Sequence, residues 1–219
     1  MFVSFSGIDG AGKSTQIEEL ESWLRQLGLR TKTVTFWDDV VVLCRVREFI
    51  SLRLFRGDQG VGSPERPLNR RDKNVTSPLI TALRSFLYLA DALSLQWSIR
   101  SLRGYKTDVV IFDRYIFDEL ANLPLHRPWA RAFVLLVLRL VPKPDVTYVI
   151  DADPLLALAR KPEYPLEFLC RNRDAYLILA QLAPDVTVIA PGSIDRTQTQ
   201  IRQKLLPQLW TGSSTYATG

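Results

Sequence analysis

Short runs of β-branched and aromatic residues alternate along this chain with longer stretches of helical periodicity. Phe2–Ser6, Thr31–Phe36, Asp108–Phe112, Val146–Ile150 and Val186–Ala190 each read as a buried strand. After the first of them, Ile17, Leu20, Leu24 and Leu27 recur at helical spacing on one face, and Gly28 supplies a stop. This alternation predicts an α/β fold in three layers, a central parallel five-stranded sheet with helices on both faces. Leu79–Leu102 is predicted as a long helix with Leu83, Phe86, Leu87, Ala90 and Leu93 on its apolar face. The most apolar stretch, Ala132 to Val141, contains Arg139 and has about half the ~20 residues a membrane span requires, so it reads as a core helix.

Between Arg56 and Pro78 the periodicity breaks into Gly, Pro, Asn and Asp with Arg66, Arg70, Arg71 and Lys73. A segment that long is either a disordered insert or a basic substrate-side loop over 57–78. The tail beyond Trp210 is small and polar and is expected to fray. No internal repeat is present, and 219 residues suit a single domain over 1–219.

Composition narrows the function classes. A 47% hydrophobic and 23% charged chain is a folded globular protein. The net charge of +5 suits a partner that carries phosphates. There is no long block of like charge and no interleaving of aromatic with basic residues, so nucleic-acid binding is not expected. Cys44 and Cys170 are too isolated for a disulfide framework or a zinc site and are expected as buried thiols. His126 is the single histidine, a loop residue near Pro124 and Pro128, which leaves little for His-based metal clusters or triads. Met1 runs straight into Phe2-Val3-Ser4-Phe5 without a signal-type segment, so a cytoplasmic, membrane-free location is expected.

The chemistry is concentrated at the start. Gly7-Ile8-Asp9-Gly10-Ala11-Gly12-Lys13-Ser14 follows an apolar strand and opens a helix, the context that makes a P-loop. Its glycines let backbone N–H groups curl around phosphate oxygens, and the helix aims its positive end at the same charge. Gly7 through Thr15 are therefore expected to bind ATP, with Lys13 reaching the β- and γ-phosphates and Ser14 on Mg²⁺. Val109-Val110-Ile111-Phe112-Asp113 ends a strand in a carboxylate that suits a second Mg²⁺ contact. Arg114 follows at the C-terminal edge of the sheet, where open α/β folds bind ligands.

Phe5-Ser6-Gly7-Ile8-Asp9-Gly10-Ala11-Gly12-Lys13-Ser14-Thr15, then Leu87-Tyr88-Leu89-Ala90-Asp91, then Asp113-Arg114-Tyr115, resemble the thymidylate kinases in identity and order. The likeness continues through Pro144-Asp145-Val146-Thr147-Tyr148-Val149-Ile150-Asp151-Ala152-Asp153-Pro154, which looks like the strand leading into the family's lid. The resemblance implies a P-loop NTPase fold and transfer of the ATP γ-phosphoryl to a deoxynucleoside monophosphate, thymidylate in the family. It implies catalytic roles for Asp9, Lys13, Arg114 and Arg160. Asp9, Asp38, Tyr88, Arg114 and Tyr115 would face the acceptor, with Tyr88 stacking on the base. A lid over 153–173 offers Arg160, Lys161 and Arg171. Arg160 is the first candidate to close over the phosphates, because the loop itself has Gly10 and Ala11 where some members carry an arginine. Ala190-Pro191-Gly192-Ser193 resembles the segment beside the donor adenine, which places Gly192 at ATP. Family members also commonly form homodimers through helices, and the Phe86–Trp97 stretch is a plausible interface.

Two departures concern the acceptor. The arginine that reads thymine after Ala-Asp is replaced by Ala92, and the arginine segment after the second strand is replaced by Phe36-Trp37-Asp38-Asp39. Two carboxylates there would repel a phosphate dianion. Either Arg45, Arg47 or the basic 66–73 segment replaces the lost cation, or the acceptor is a neutral hydroxyl with Asp38 or Asp39 as general base. A third reading is an ATP-binding regulatory protein that has lost acceptor activity.

Overall fold

The computed structural model describes residues 1–41, 63, 78–102 and 106–213. Cys44, Arg45, Arg47 and the 57–78 loop, apart from Ser63 and Pro78, lie outside the described residues. The chain begins with β1 (Phe2–Ser6), the phosphate-loop sequence, α1 (Lys13–Gln26) and β2 (Thr31–Thr35). α2 (Pro78–Leu102), β3 (Val109–Asp113), α3 (Ile116–Leu120) and α4 (Pro128–Leu140) follow. β4 (Val146–Ile150), α5 (Pro154–Arg160), α6 (Leu166–Leu182), β5 (Val186–Ile189) and α7 (Ile194–Ser213) complete the fold.

The strands form one five-stranded sheet in the order β2-β3-β1-β4-β5 with every pairing parallel. β1 lies at the centre, where Val3 pairs with Ile111 of β3 on one side and with Val146 of β4 on the other. β1 and β4 are accordingly buried along nearly their whole length, as strands covered on both faces must be. Phe5 and Tyr148 meet at a ring-centre distance of 5.2 Å in the core. Each such side chain contributes about 1.5–3 kcal/mol by leaving water.

The strand expectations hold to within one residue, with a physical reason at the second. Phe36 leaves the sheet to begin a short π-helical turn, Phe36–Val40, and is fully buried there. The Asp39 carboxylate accepts the Thr35 N–H at 2.8 Å and fixes that exit. Gly28 stops α1 in the left-handed conformation (φ 79°), although Leu27, read as part of the buried face, is half exposed.

Two of the other helices, α2 and α4, depart from expectation in what they bury. On α2 the inward residues are Tyr88, Ala92, Leu95, Ile99 and Leu102, whereas Leu83, Phe86 and Leu93 are exposed. α4 buries Ala130, Val134 and Val137 but leaves Leu135 and Leu136 largely open, so it is an amphipathic surface helix and not a core one. Cys170 on α6 is exposed, correcting its reading as a buried thiol. No helix among the described residues is long and apolar enough to cross a membrane.

Candidate active site

Four strand ends converge on one edge of the sheet. β1 runs into the Gly7–Gly12 loop, β2 into Phe36–Val40, β3 into Arg114 and β4 into Asp151–Asp153. The chain crosses β1 between β3 and β4, so this edge is the topological switch point at which a crevice opens.

The loop has the backbone its glycines predict. Gly7, Gly10 and Gly12 all have positive φ. A Cβ on Gly7 would stand 2.5 Å from the Ile150 carbonyl oxygen, so β1 and β4 can end side by side only with glycine there. The corresponding atom on Gly10 would stand 2.3 Å from the Ala157 carbonyl oxygen of α5. Gly12 caps α1 with nothing within 4 Å of its missing Cβ, leaving the helix N-terminus open to an anion. Lys13 is buried and donates from Nζ to the Gly7 carbonyl at 2.7 Å and the Ile8 carbonyl at 2.9 Å. Ser14 and Thr15 are exposed beside it.

Of the residues read as the acceptor side, Asp9 meets Arg114. Immediately after β3 this residue adopts φ 73°, the left-handed region that residues with a side chain rarely enter. Its Nη2 donates to Asp9 Oδ1 at 2.5 Å and its Nη1 to Asp118 Oδ1 at 3.3 Å. Burial opposes the Arg114 charge, but Asp9 and Asp118 outweigh it and hold the pKa above its ordinary value. Arg114 therefore remains a cation in a largely dry site.

In the segment read as a lid, Asp153 caps α5, its Oδ1 accepting the Leu155 and Leu156 N–H groups at 2.7 and 3.3 Å. The helix ends on Arg160, whose Nη1 reaches back to the Gly10 carbonyl at 3.5 Å. Leu158, Tyr164, Phe168 and Leu169 form a small cluster of their own, so α5 and the start of α6 pack on each other apart from the main core. Lys161 pairs with Glu163 at 3.4 Å, and Arg171 is exposed. Arg173, which sequence reasoning did not single out, clamps Asp151 at 2.6 and 2.7 Å and ties α6 to the end of β4. The hydrogen bond to Asp151 raises its pKa, with burial opposing.

Other expected site residues stand apart. Tyr115 is fully buried, its hydroxyl donates to the Pro142 carbonyl at 2.6 Å, and its ring lies against Phe36, Phe112 and Phe117. Burial alone pushes its phenol well above the usual range. This corrects its assignment to the acceptor: the side chain is core, because the residue after the left-handed Arg114 turns inward. Tyr88 is on the inward face of α2 at 6% exposure, and Ala92 one turn later has none. Asp38 is exposed, while Asp39 is engaged by Thr35 as described; Ser94 of α2 donates to the Val40 carbonyl at 2.7 Å and holds that turn. Gly192 is exposed next to the Arg196 side chain.

Asp113 is half-buried at the end of β3 on the same edge as Ser14. An alcohol and a carboxylate are hard oxygen donors that suit Mg²⁺, a cation bound by one or two protein ligands plus substrate phosphates. Among the described residues no group of three or more His, Cys, Asp or Glu could hold a metal ion.

No protein-family model matches the chain. A thymidylate kinase of Bifidobacterium longum subsp. infantis is 32% identical over 206 residues, covering 84% of this chain and 76% of that protein. A probable thymidylate kinase of Methanosphaera stadtmanae is 26% identical over 217 residues, covering 95% of this chain and 99% of that protein. Among solved structures, the thymidylate kinase of Candida albicans superposes with a TM-score of 0.63 at 19% identity, covering 94% of this chain and 91% of that one. That of Ehrlichia chaffeensis gives 0.56 at 21%, covering 94% and 98%. Those two likenesses establish the P-loop NTPase fold.

Proposed function

The chain belongs to the thymidylate kinase family, and from that premise we propose that it is an ATP-dependent nucleoside monophosphate kinase converting thymidylate to thymidine diphosphate. The observation that carries the reading is the convergence of Lys13, Asp9, Arg114 and Arg160 on the Gly7–Gly12 loop. Three cations around one phosphate-binding backbone are what phosphoryl transfer requires, since catalysis there is positioning plus neutralisation of spreading charge.

On the donor side, the loop N–H groups and the α1 N-terminus take the ATP phosphates, and Lys13 exchanges its two carbonyls for phosphate oxygens. Arg160 already spans from α5 to the loop and closes over the transferring group. Gly192 borders the adenine. Ser14 and Asp113 would hold Mg²⁺, which would supply neutralisation of phosphate charge. On the acceptor side, Arg114 binds the monophosphate, Asp9 approaches the sugar, and Tyr88 lines the base. An oxygen of the acceptor phosphate forms the new bond to the γ-phosphorus while the bond to the ADP β-phosphate oxygen breaks. A phosphate dianion attacks without losing a proton, so no general base is needed.

That removes the task reserved for Asp38 or Asp39, and the Asp39 bond to Thr35 gives it a structural role instead. Neither the hydroxyl-acceptor reading nor the regulatory one finds support among relatives named thymidylate kinase. The base is not read at Ala92, a buried methyl. The protein acts in the cytoplasm as a homodimer joined through the outer face of α2, where Leu83, Phe86, Leu93 and Trp97 are exposed.

A coupled ADP-release assay across the nucleoside monophosphates and matching nucleosides tests this. Turnover is expected with thymidylate and not with thymidine. The reverse result transfers the reading to a hydroxyl acceptor, and inertness towards every acceptor despite Lys13-dependent ATP binding overturns the enzyme reading.

A further inference from the structure

Four residues beyond Arg114, Asp118 has no direct task in the reaction proposed above, yet it is heavily engaged. Its side chain is 2% exposed. Oδ2 accepts the Ser6 hydroxyl at 2.6 Å and the Tyr115 N–H at 3.2 Å. Oδ1 accepts the Tyr176 hydroxyl at 2.9 Å and Arg114 Nη1 at 3.3 Å. A carboxylate offers about four lone-pair positions, and these donors occupy them.

The plain role for an acidic residue here is to satisfy the first turn of α3, and the Tyr115 N–H bond does that. It does not explain the other three donors, which come from the end of β1, from the strained residue after β3 and from the middle of α6. Tyr176 is buried, and its phenol is pushed far above the usual range, by burial first and then by the Asp118 charge. Its hydroxyl therefore stays a donor throughout the working pH range.

Arg114 is thus shared between two buried carboxylates, through Nη2 to Asp9 and through Nη1 to Asp118. Two of its five N–H donors are so engaged, and a monophosphate that docks on the guanidinium competes with both carboxylates for it. If Asp118 yielded, the Ser6 and Tyr176 hydroxyls would lose their acceptor in a dry site. We propose that Asp118, anchored by Ser6 and Tyr176, is a positioning residue for Arg114: it keeps Nη1 and leaves Nη2, now on Asp9, to turn to the acceptor phosphate. The proposal rests on the reading of Arg114 as the acceptor-phosphate cation. It also joins the two halves of the site, because the helix that supplies Tyr176 packs on α5, which carries Arg160.

The test is a double-mutant cycle with KM measured separately for ATP and thymidylate in wild type, D118N, Y176F, R114A and each of the two paired with R114A. D118N is expected to raise the thymidylate KM at least about tenfold while the ATP KM stays within about twofold. Y176F should move the same constant by about two- to fivefold. Both effects should vanish in the R114A background, because residues acting through one partner do not add. Equal losses with and without Arg114, or equal changes in both KM values, would overturn the proposal and return Asp118 to a purely structural role. Should D118N not fold, as its thermal melt would show, the Y176F cycle decides between the same two outcomes. Wild-type protein inert towards every monophosphate would bring down the parent reading and this one together, whereas active wild type with an additive cycle removes this one alone.

Discussion

At the scale of single residues, the site is a set of charges held in place by backbone atoms and by one another. The Lys13 ammonium sits on two carbonyls of its own loop, which in the proposed reaction it exchanges for phosphate oxygens. Replacing it should remove charge stabilisation without disturbing the sheet. Lys13→Ala is expected to lower turnover at least about tenfold, and by as much as about a thousandfold if its charge acts mainly in the transition state, as ADP release would record. The phosphate-loop residues were legible in the sequence because the motif is local: eight consecutive residues, Gly7 to Ser14, in a strand–helix context define it. Arg114 was legible for the same reason, standing directly after a recognisable strand. Asp118 was within reach, since a carboxylate four residues on at a helix start is a natural partner for an arginine. Tyr176 and Ser6 were not, because they lie 58 and 112 residues from Asp118 in sequence and only the packing of α6 and β1 brings them to it.

At the scale of elements, α5 and the loop are fitted to each other through a missing side chain. Gly10 has φ 83° and its absent Cβ would fall on the Ala157 carbonyl of α5, while its own carbonyl receives Arg160. Any side chain at position 10 would have to push α5 away. Gly10→Ala is therefore expected to cost about 1–2 kcal/mol for the left-handed backbone, with a further loss from the clash, seen as a lower melting temperature. It should also reduce turnover more than it weakens ATP binding, because the loop N–H groups remain while Arg160 is displaced. Unchanged turnover would show that the contact between α5 and the loop has no part in closure.

For the whole molecule, the question is which apolar surface is core and which is left for a partner. α2 has apolar residues on two opposite faces: positions 88, 92, 95, 99 and 102 pack inward, and Leu83, Phe86, Leu93 and Trp97 point outward at 58%, 70%, 56% and 75% exposure. With Ala90 between them, the outward residues follow a 3–4 spacing, the seam by which two helices pack side by side. Phe86→Glu together with Trp97→Glu is expected to convert a dimer to monomer in sedimentation velocity while leaving the inward face intact; a wild type that sediments as a monomer would dismiss this interface. The sequence by itself determined the strands, the parallel α/β architecture and the phosphate loop, because period, punctuation and a contiguous motif are properties of neighbouring residues. It could not assign the faces of α2 or α4, since a helix with two apolar stripes has the same periodicity whichever one meets the sheet. Nor could it tell that Tyr115, beside Arg114 in the chain, turns into the core while Asp118 turns to the arginine. Those choices were made by tertiary structure, where the left-handed turn at Arg114 and the burial of competing side chains decide which neighbour in sequence becomes a neighbour in space.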